Sequence, residues 1–280
     1  MSNKISLLLA CLLLPFPAMA QQLLDYTETD PTYEAGARLG LGVEKSLIPK
    51  TMTVFAEEQI RFNDNFSHFQ RSYTTVGLDY RILPWLKAGV SGSYILNNST
   101  DKGWTNRFRG AFWLTESVKL DRWKLSLREK LQATYYADSI NLYQNPKTRW
   151  VLKTRVKAEY DIPRSKYTPY FSAELRNTLN AVNPANFIYN EADARWTNTS
   201  PVYNDVYINR LRLVAGTEYK FPDRNTINLF IFSDLCWDLG IDFNSSGRQK
   251  KNSSGTGYKD YLFLEDTYLF GLGLTYTFKL

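Results

Sequence analysis

The sequence predicts an all-β protein: a single antiparallel, up-and-down transmembrane β-barrel of about 10–12 strands, with 12 favoured, joined by short periplasmic turns and longer external loops. Three observations carry that prediction. Eleven segments alternate large apolar residues with small, polar or charged ones, the period of a strand with one apolar face. The chain opens on an export signal. Its connections alternate between short and long, as in a wall whose two ends face different compartments.

The signal comes first. Lys4 supplies its positive start, residues 5–16 its apolar stretch and Ala18-Met19-Ala20 a small-residue cleavage pattern. The stretch is too short to cross a bilayer as a helix. Leu8-Leu9-Ala10-Cys11 loosely resembles a lipoprotein cleavage site, but apolar residues continue past Cys11 and keep it inside the stretch. Cleavage divides the chain into residues 1–20, the signal peptide, and residues 21–280, the barrel domain.

The strands follow in order. Residues 22–29 form a weak first strand that would make the count even. Residues 33–45 set Ala35, Ala37, Leu39, Leu41 and Val43 against Glu34, Arg38 and Glu44. Residues 51–62 set Met52, Val54, Ala56, Ile60 and Phe62 against Thr53, Glu57, Gln59 and Arg61. Residues 72–82 and 86–96 oppose Val76, Leu78, Val90 and Leu96 to Asp79, Arg81, Lys87 and Ser91. Residues 105–119 and 123–137 oppose Phe108, Phe112, Leu125 and Leu131 to Arg107, Arg109, Arg128 and Lys130. Residues 149–162 alternate most cleanly, Trp150, Leu152, Val156 and Tyr160 against Arg149, Lys153, Arg155, Lys157 and Glu159. Residues 167–179 oppose Tyr167, Phe171 and Leu175 to Tyr170, Glu174 and Arg176. Residues 207–220 oppose Leu211, Leu213 and Tyr219 to Arg210, Arg212 and Glu218. Residues 226–239 oppose Ile227, Leu229 and Ile231 to Asn228, Asp234 and Asp238. Residues 268–280 alternate Tyr268, Phe270, Leu272, Leu274, Tyr276 and Phe278 with Gly271, Gly273, Thr275 and Thr277.

Short connections fall near residues 46–50, 83–85, 120–122, 163–166 and 221–225; longer ones fall near 63–68, 97–103, 138–147, 180–205 and 241–261. Longer loops are expected outside the cell, which assigns residues 180–205 and 241–261 to the exterior. The last, rich in Ser, Gly, Asn and Lys, reads as a mobile loop.

Charge and cysteine bound the chemistry. The formal charge of +6 falls by one when Lys4 leaves with the signal. The basic residues are spread along strands, with no phosphate loop or nucleic-acid motif, so no nucleic acid is expected as a partner. Of two cysteines, Cys11 belongs to the signal, leaving Cys236 without a disulfide partner. One histidine and one mature cysteine do not make a zinc site of a common type, and no metal or other cofactor is expected.

The polar faces carry the candidate site. Arg or Lys on a lipid face at mid-membrane costs about 2–4 kcal/mol. The basic residues Arg107, Arg109, Arg128, Lys153, Arg155, Arg176, Arg210 and Arg212 are therefore assigned to the lumen. The acidic residues Glu57, Asp79, Glu159, Glu174, Glu218 and Asp234 share it. Two outcomes are open: a lattice of ion pairs that fills the interior, or a basic, porin-like path that passes small anionic solutes. Glu58, Glu116 and Glu129 fall on the lipid face, and a β-bulge at Glu57-Glu58 would turn one of them inward. Catalysis has a single candidate, His68, beside Asp64, Ser67 and Ser72, where a Ser–His or Asp–His pair could act on lipid or peptide at the outer rim.

At Glu57-Glu58-Gln59-Ile60-Arg61-Phe62-Asn63-Asp64-Asn65 the chain resembles a bacterial family of uncharacterised outer-membrane-type β-barrels, a domain of unknown function with a Glu-Glu-x-x-Arg-x-x-Asp-Asn strand motif. Residues 123–132, Tyr143-Gln144-Asn145-Pro146, residues 174–180 and Ile208-Asn209-Arg210-Leu211-Arg212 fit the same family. The resemblance covers nearly the whole mature chain. It implies the fold and the outer membrane of a Gram-negative cell envelope, and it carries over no activity and no catalytic residue. The sequence thus reads as a non-enzymatic barrel with a charged lumen, a small-solute channel or a structural, surface-exposed element. Its expected partners are outer-membrane lipids and, during biogenesis, the barrel-assembly machinery. An enzyme acting through His68 and a ligand-binding barrel using its long loops are the alternatives.

Overall fold

A computed structural model describes residues 26–99, 103–255 and 257–280. The expected signal peptide and its cleavage site lie outside the described residues. A short strand, β1 (Thr27–Glu28), precedes β2 (Thr32–Ile48), β3 (Met52–Asn63), β4 (His68–Leu83), β5 (Leu86–Ser99), β6 (Gly103–Leu120), β7 (Trp123–Tyr136), β8 (Thr148–Tyr160) and β9 (Tyr167–Ala181). A small hairpin follows, β10 (Ile188–Asn190) and β11 (Arg195–Thr197). The long strands β12 (Asp205–Lys220), β13 (Thr226–Ile241) and β14 (Leu262–Lys279) complete the chain. Each of the eleven alternating segments of the sequence corresponds to one long strand.

Neighbours in sequence pair antiparallel from β2 round to β14, with β12 against β9 across the small hairpin. The ring then closes by β14 pairing with β2, and that ladder is parallel, Tyr268 beside Tyr33 through Lys279 beside Glu44. The sheet counts twelve strands, but eleven make the closed wall; β1 adds two residues beside Phe263 and Leu264 of β14. An odd wall requires such a seam. Alternation along the chain records the faces of strands and not the direction in which the first meets the last, so the favoured even wall is replaced by eleven strands plus one short one.

The strand period turns one face outward. Leu39, Leu41, Val76, Val90, Phe112, Leu131, Val156, Phe171, Leu229, Ile231, Phe270 and Leu272 are all exposed on it. Aromatic pairs mark both ends. At the short-turn end Trp123 meets Tyr160 at 4.9 Å, Tyr167 meets Tyr219 at 4.9 Å, Tyr219 meets Phe221 at 4.9 Å and Tyr276 meets Phe278 at 4.7 Å. At the long-loop end Tyr33 stacks on Tyr268 at 5.3 Å, and Phe69 lies between Phe62 at 5.7 Å and Trp104 at 5.5 Å. The buried residues of the wall are largely polar: Arg38, Gln132, Thr134, Ser172, Glu174, Thr178 and Asp234. The barrel is polar within and apolar without.

Two acids test the outer face. No bulge occurs at Glu57-Glu58; the register shift of β3 against β4 lies between Arg61 and Phe62. Glu58 stays on the outer face, where the hydroxyls of Ser72 and Thr74 both donate to it, the second at 2.6 Å. Glu129 is served in the same way by Thr154 at 2.8 Å. Cross-strand hydroxyls serve both oxygens of Glu58 and one of Glu129, whose Oε1 is buried without a partner.

The two longest connections pack against each other. They fold together over the mouth of the wall into a cap with its own apolar core of Val182, Phe187, Ile241, Phe243 and Leu262. Phe187 meets Phe243 edge-on at 4.7 Å, and Trp196 stacks on Tyr261 at 4.5 Å. Asn198 N–H donates to Gly247 O at 2.7 Å and Gln249 N–H to Trp196 O at 3.0 Å, which stitches one connection to the other. The polar composition that reads as a loose loop is spent on these turns, while a few spaced aromatics form the core.

Candidate functional site

The lumen is organised in tiers. The middle tier is built on two acids. Asp234 of β13 is 1 % exposed. Arg212 of β12 grips it with a fork, Nε to Oδ1 at 2.6 Å and Nη2 to Oδ2 at 2.8 Å. Arg38 of β2 donates to Oδ2 at 2.7 Å, and Arg210 approaches it at 3.6 Å. Glu174 of β9 receives Arg128 at 3.2 Å and lies 3.8 Å from Lys153 and 4.0 Å from Arg212. Arg212 therefore joins the two acids into one network, drawn from strands on both sides of the ring.

Aromatic side chains fill the space between the charges. Phe230 and Phe232 turn inward from β13, and Gly273 and Gly271 of β14 make room for them. A Cβ on Gly273 would stand 2.1 Å from the Phe230 ring, and one on Gly271 2.5 Å from the Phe232 ring. The Arg38 guanidinium lies 3.6 Å from the Phe232 centroid. Arg61 and Arg109 flank the buried Tyr73 ring at 4.3 and 5.4 Å, and Lys130 sits 4.8 Å from Trp113, whose Nε1 donates to Asp79 at 3.1 Å. A cation on a desolvated ring face is held by the ring's quadrupole.

A cavity of about 400 Å³ is bordered by Arg38, Arg128, Glu174 and Arg212 of this plug and extends toward the short turns, where Glu44, Glu57, Glu218 and Lys279 reach it. Lys157 of its lining donates to Glu159 at 2.9 Å, which also accepts from Lys124 at 2.7 Å. Above the plug, toward the long loops, the balance changes. Among the described residues no carboxylate lies within 4.0 Å of a side-chain nitrogen of Arg71, Arg107, Arg149 or Arg176, and each of these has a buried Nε without a partner. Arg155, lower on β8, is also without an ion pair among the described residues.

The structure thus joins Arg128, Lys153, Arg210, Arg212, Glu174 and Asp234 in one lattice. It leaves Arg107 and Arg176 in the upper tier, and sets Asp79, Glu57, Glu159 and Glu218 apart in smaller contacts. Arg109 is held by Thr134 at 3.0 Å. Sequence reasoning left Arg38, Arg61, Arg71, Tyr73 and the pair Phe230 and Phe232 out of the site. Their signal was parity: Arg38 alternates with Leu39, and the two phenylalanines share a face with Asn228 and Asp234.

His68 stands at the start of β4 with Nε2 3.3 Å from Asn98 O. The Ser67 hydroxyl donates to Asp64 O at 2.5 Å, and Ser72 serves Glu58. No Ser–His or Asp–His pair is assembled among the described residues. The turn is a local solution instead: Asp64, Asn65 and Phe66 take left-handed φ of 49°, 54° and 69°, and Asn65 Oδ1 accepts from Ala35 N–H of β2 at 3.2 Å. Asp and Asn tolerate that conformation better than most residues.

In comparisons with known proteins, one protein-family model matches residues 40–234, and its description is Protein of unknown function (DUF2490). No curated protein matches the chain, and no solved structure does.

Proposed function

The chain belongs to the DUF2490 family, and we propose that it is a non-enzymatic outer-membrane β-barrel with a sealed lumen, presenting its loop cap at the cell surface. The observation that carries this reading is the lattice across the lumen: Arg212 holds Asp234 at 2.6 Å and reaches Glu174 at 4.0 Å, with Arg38 packed on Phe232 beside them. Ionic groups that neutralise one another and press on aromatic rings offer a passing ion few exchangeable sites, which supports the sealed reading over the channel. The exposed apolar face between two sets of aromatic pairs supports the membrane part of the reading, since a lipid-facing band flanked by aromatic girdles is the surface a bilayer requires.

Planar bilayers test the sealing. Purified protein is expected to insert without giving unitary current steps. Regular steps with an anion preference that weakens at high salt and falls in Arg155→Glu would replace the sealed barrel by an anion channel. Fractionation tests the location, and recovery of the protein as a soluble periplasmic species would reject the membrane reading.

A further inference from the structure

The upper tier contains a second cavity, distinct from the plug, with a volume of about 280 Å³. Its wall side is Thr105 and Arg107 of β6, Tyr136 of β7 and Arg149 of β8; its roof is residues 138–141 with Gln144 and Asn145. The roof is anchored. Asp138 Oδ2 accepts from Asn106 N–H at 2.6 Å, Asn141 Nδ2 donates to Phe243 O of the cap at 2.7 Å, and Tyr203 O–H donates to Leu142 O at 2.7 Å. Arg149 donates to Asn145 Oδ1, and Arg107 lies 4.8 Å from the Tyr136 centroid. The cavity is therefore a built pocket, and the one carboxylate in its lining, Asp138, is beyond ion-pair distance of both guanidiniums and accepts from a backbone amide.

The contrast with the plug defines what is missing. In the middle of the lumen Asp234 and Glu174 pair with Arg38, Arg128, Arg210 and Arg212. At the mouth Arg107 and Arg149, with Arg71 and Arg176, are half-buried, each with a buried Nε that has no hydrogen-bond partner and with no acid within ion-pair distance among the described residues. A guanidinium N–H that is buried without an acceptor is costly, and a charge-assisted hydrogen bond to an oxyanion is the strong remedy. We propose that the cavity between Arg107 and Arg149 binds a small oxyanion-bearing solute, a phosphate or a carboxylate on a hydrophilic body. The guanidiniums would take the anionic group. Thr105, Asn141, Gln144 and Asn145 offer amide and hydroxyl groups to the rest. All the wall groups that line the cavity are lumen-facing, which selects a free solute over a lipid headgroup. The inference is independent of whether the barrel sits in a membrane or conducts.

The experiment is calorimetric titration of the detergent-refolded full mature chain with inorganic phosphate, with citrate and with glucose as a neutral control. Saturable binding of phosphate or citrate, absent for glucose and weakened by raised sodium chloride, is expected. Which of the two binds tighter separates a phosphate site from a carboxylate site. Arg107→Gln with Arg149→Gln should weaken binding at least tenfold, whereas Lys124→Gln at the opposite end of the wall should leave it unchanged. Gln144→Glu changes only the roof and places a like charge against the ligand; it should abolish binding even if the wall variants fail to fold. Absence of saturable heat with either anion, or undiminished binding in Gln144→Glu, would overturn the site.

Discussion

Asp234 is the residue on which most of the interior depends. Removing one partner of a buried ionic network leaves the others charged and unsolvated, at a cost of about 3–5 kcal/mol. Asp234→Asn keeps the volume and strands Arg38, Arg210 and Arg212, so chemical unfolding in detergent should show a loss of that size. Lys119→Ala serves as the control. Its pair with Asp161 spans 3.8 Å with both side chains about two-thirds exposed, and its removal should leave stability unchanged within error. At this scale the sequence revealed sign and face. It did not reveal partners, because Arg38 and Asp234 stand 196 positions apart and meet only when the ring closes. It also did not reveal that Phe230 and Phe232 belong with the charges, since an aromatic ring at inward parity makes sense only once Gly271 and Gly273 are known to face it.

Among the elements, the wall and the cap should behave separately. Leu213 lies on the outward face of β12, between Ala173 and Ser233 of the adjacent strands. Leu213→Arg should cost about 2–4 kcal/mol if that face meets the bilayer midplane, and nothing comparable in detergent-free solution chemistry would explain such a loss. Indifference to the change in lipid vesicles would reverse the assignment of faces. Phe243 is fully buried in the cap. Phe243→Ala should speed proteolytic cutting within residues 182–204 and 242–261 while the wall strands stay protected, since cavity formation in a satellite core loosens that core first. The strands were legible because a two-residue period repeats for the length of each one. The cap was not, because its core is five apolar residues scattered among turn formers, with no period to detect.

For the molecule as a whole, the two ends of the wall make opposite predictions. Single cysteines at Thr197 and Ser246, in the cap, should react with an impermeant thiol reagent on intact cells, and one at Arg164, in a short turn, should not. Labelling at Arg164 alone would invert the topology. The number of strands was legible to within one; the closure was not, since nothing local to β2 or β14 announces a parallel neighbour. That closure has a mechanical consequence. Every other ladder in the ring joins antiparallel strands, but β2 and β14 are tied by slanted bonds that hold slightly less well per residue. Glycines recur along the same junction, Gly36 beside Gly271, Gly273 beside Arg38, and Gly40 and Gly42 beside Thr275 and Thr277, and contribute no side-chain packing. The barrel is a split ring with its clasp at one place. In deuterium exchange the amides of residues 35–43 and 270–278 that bridge the clasp should exchange before those between β12 and β13, and the wall should part there first under load.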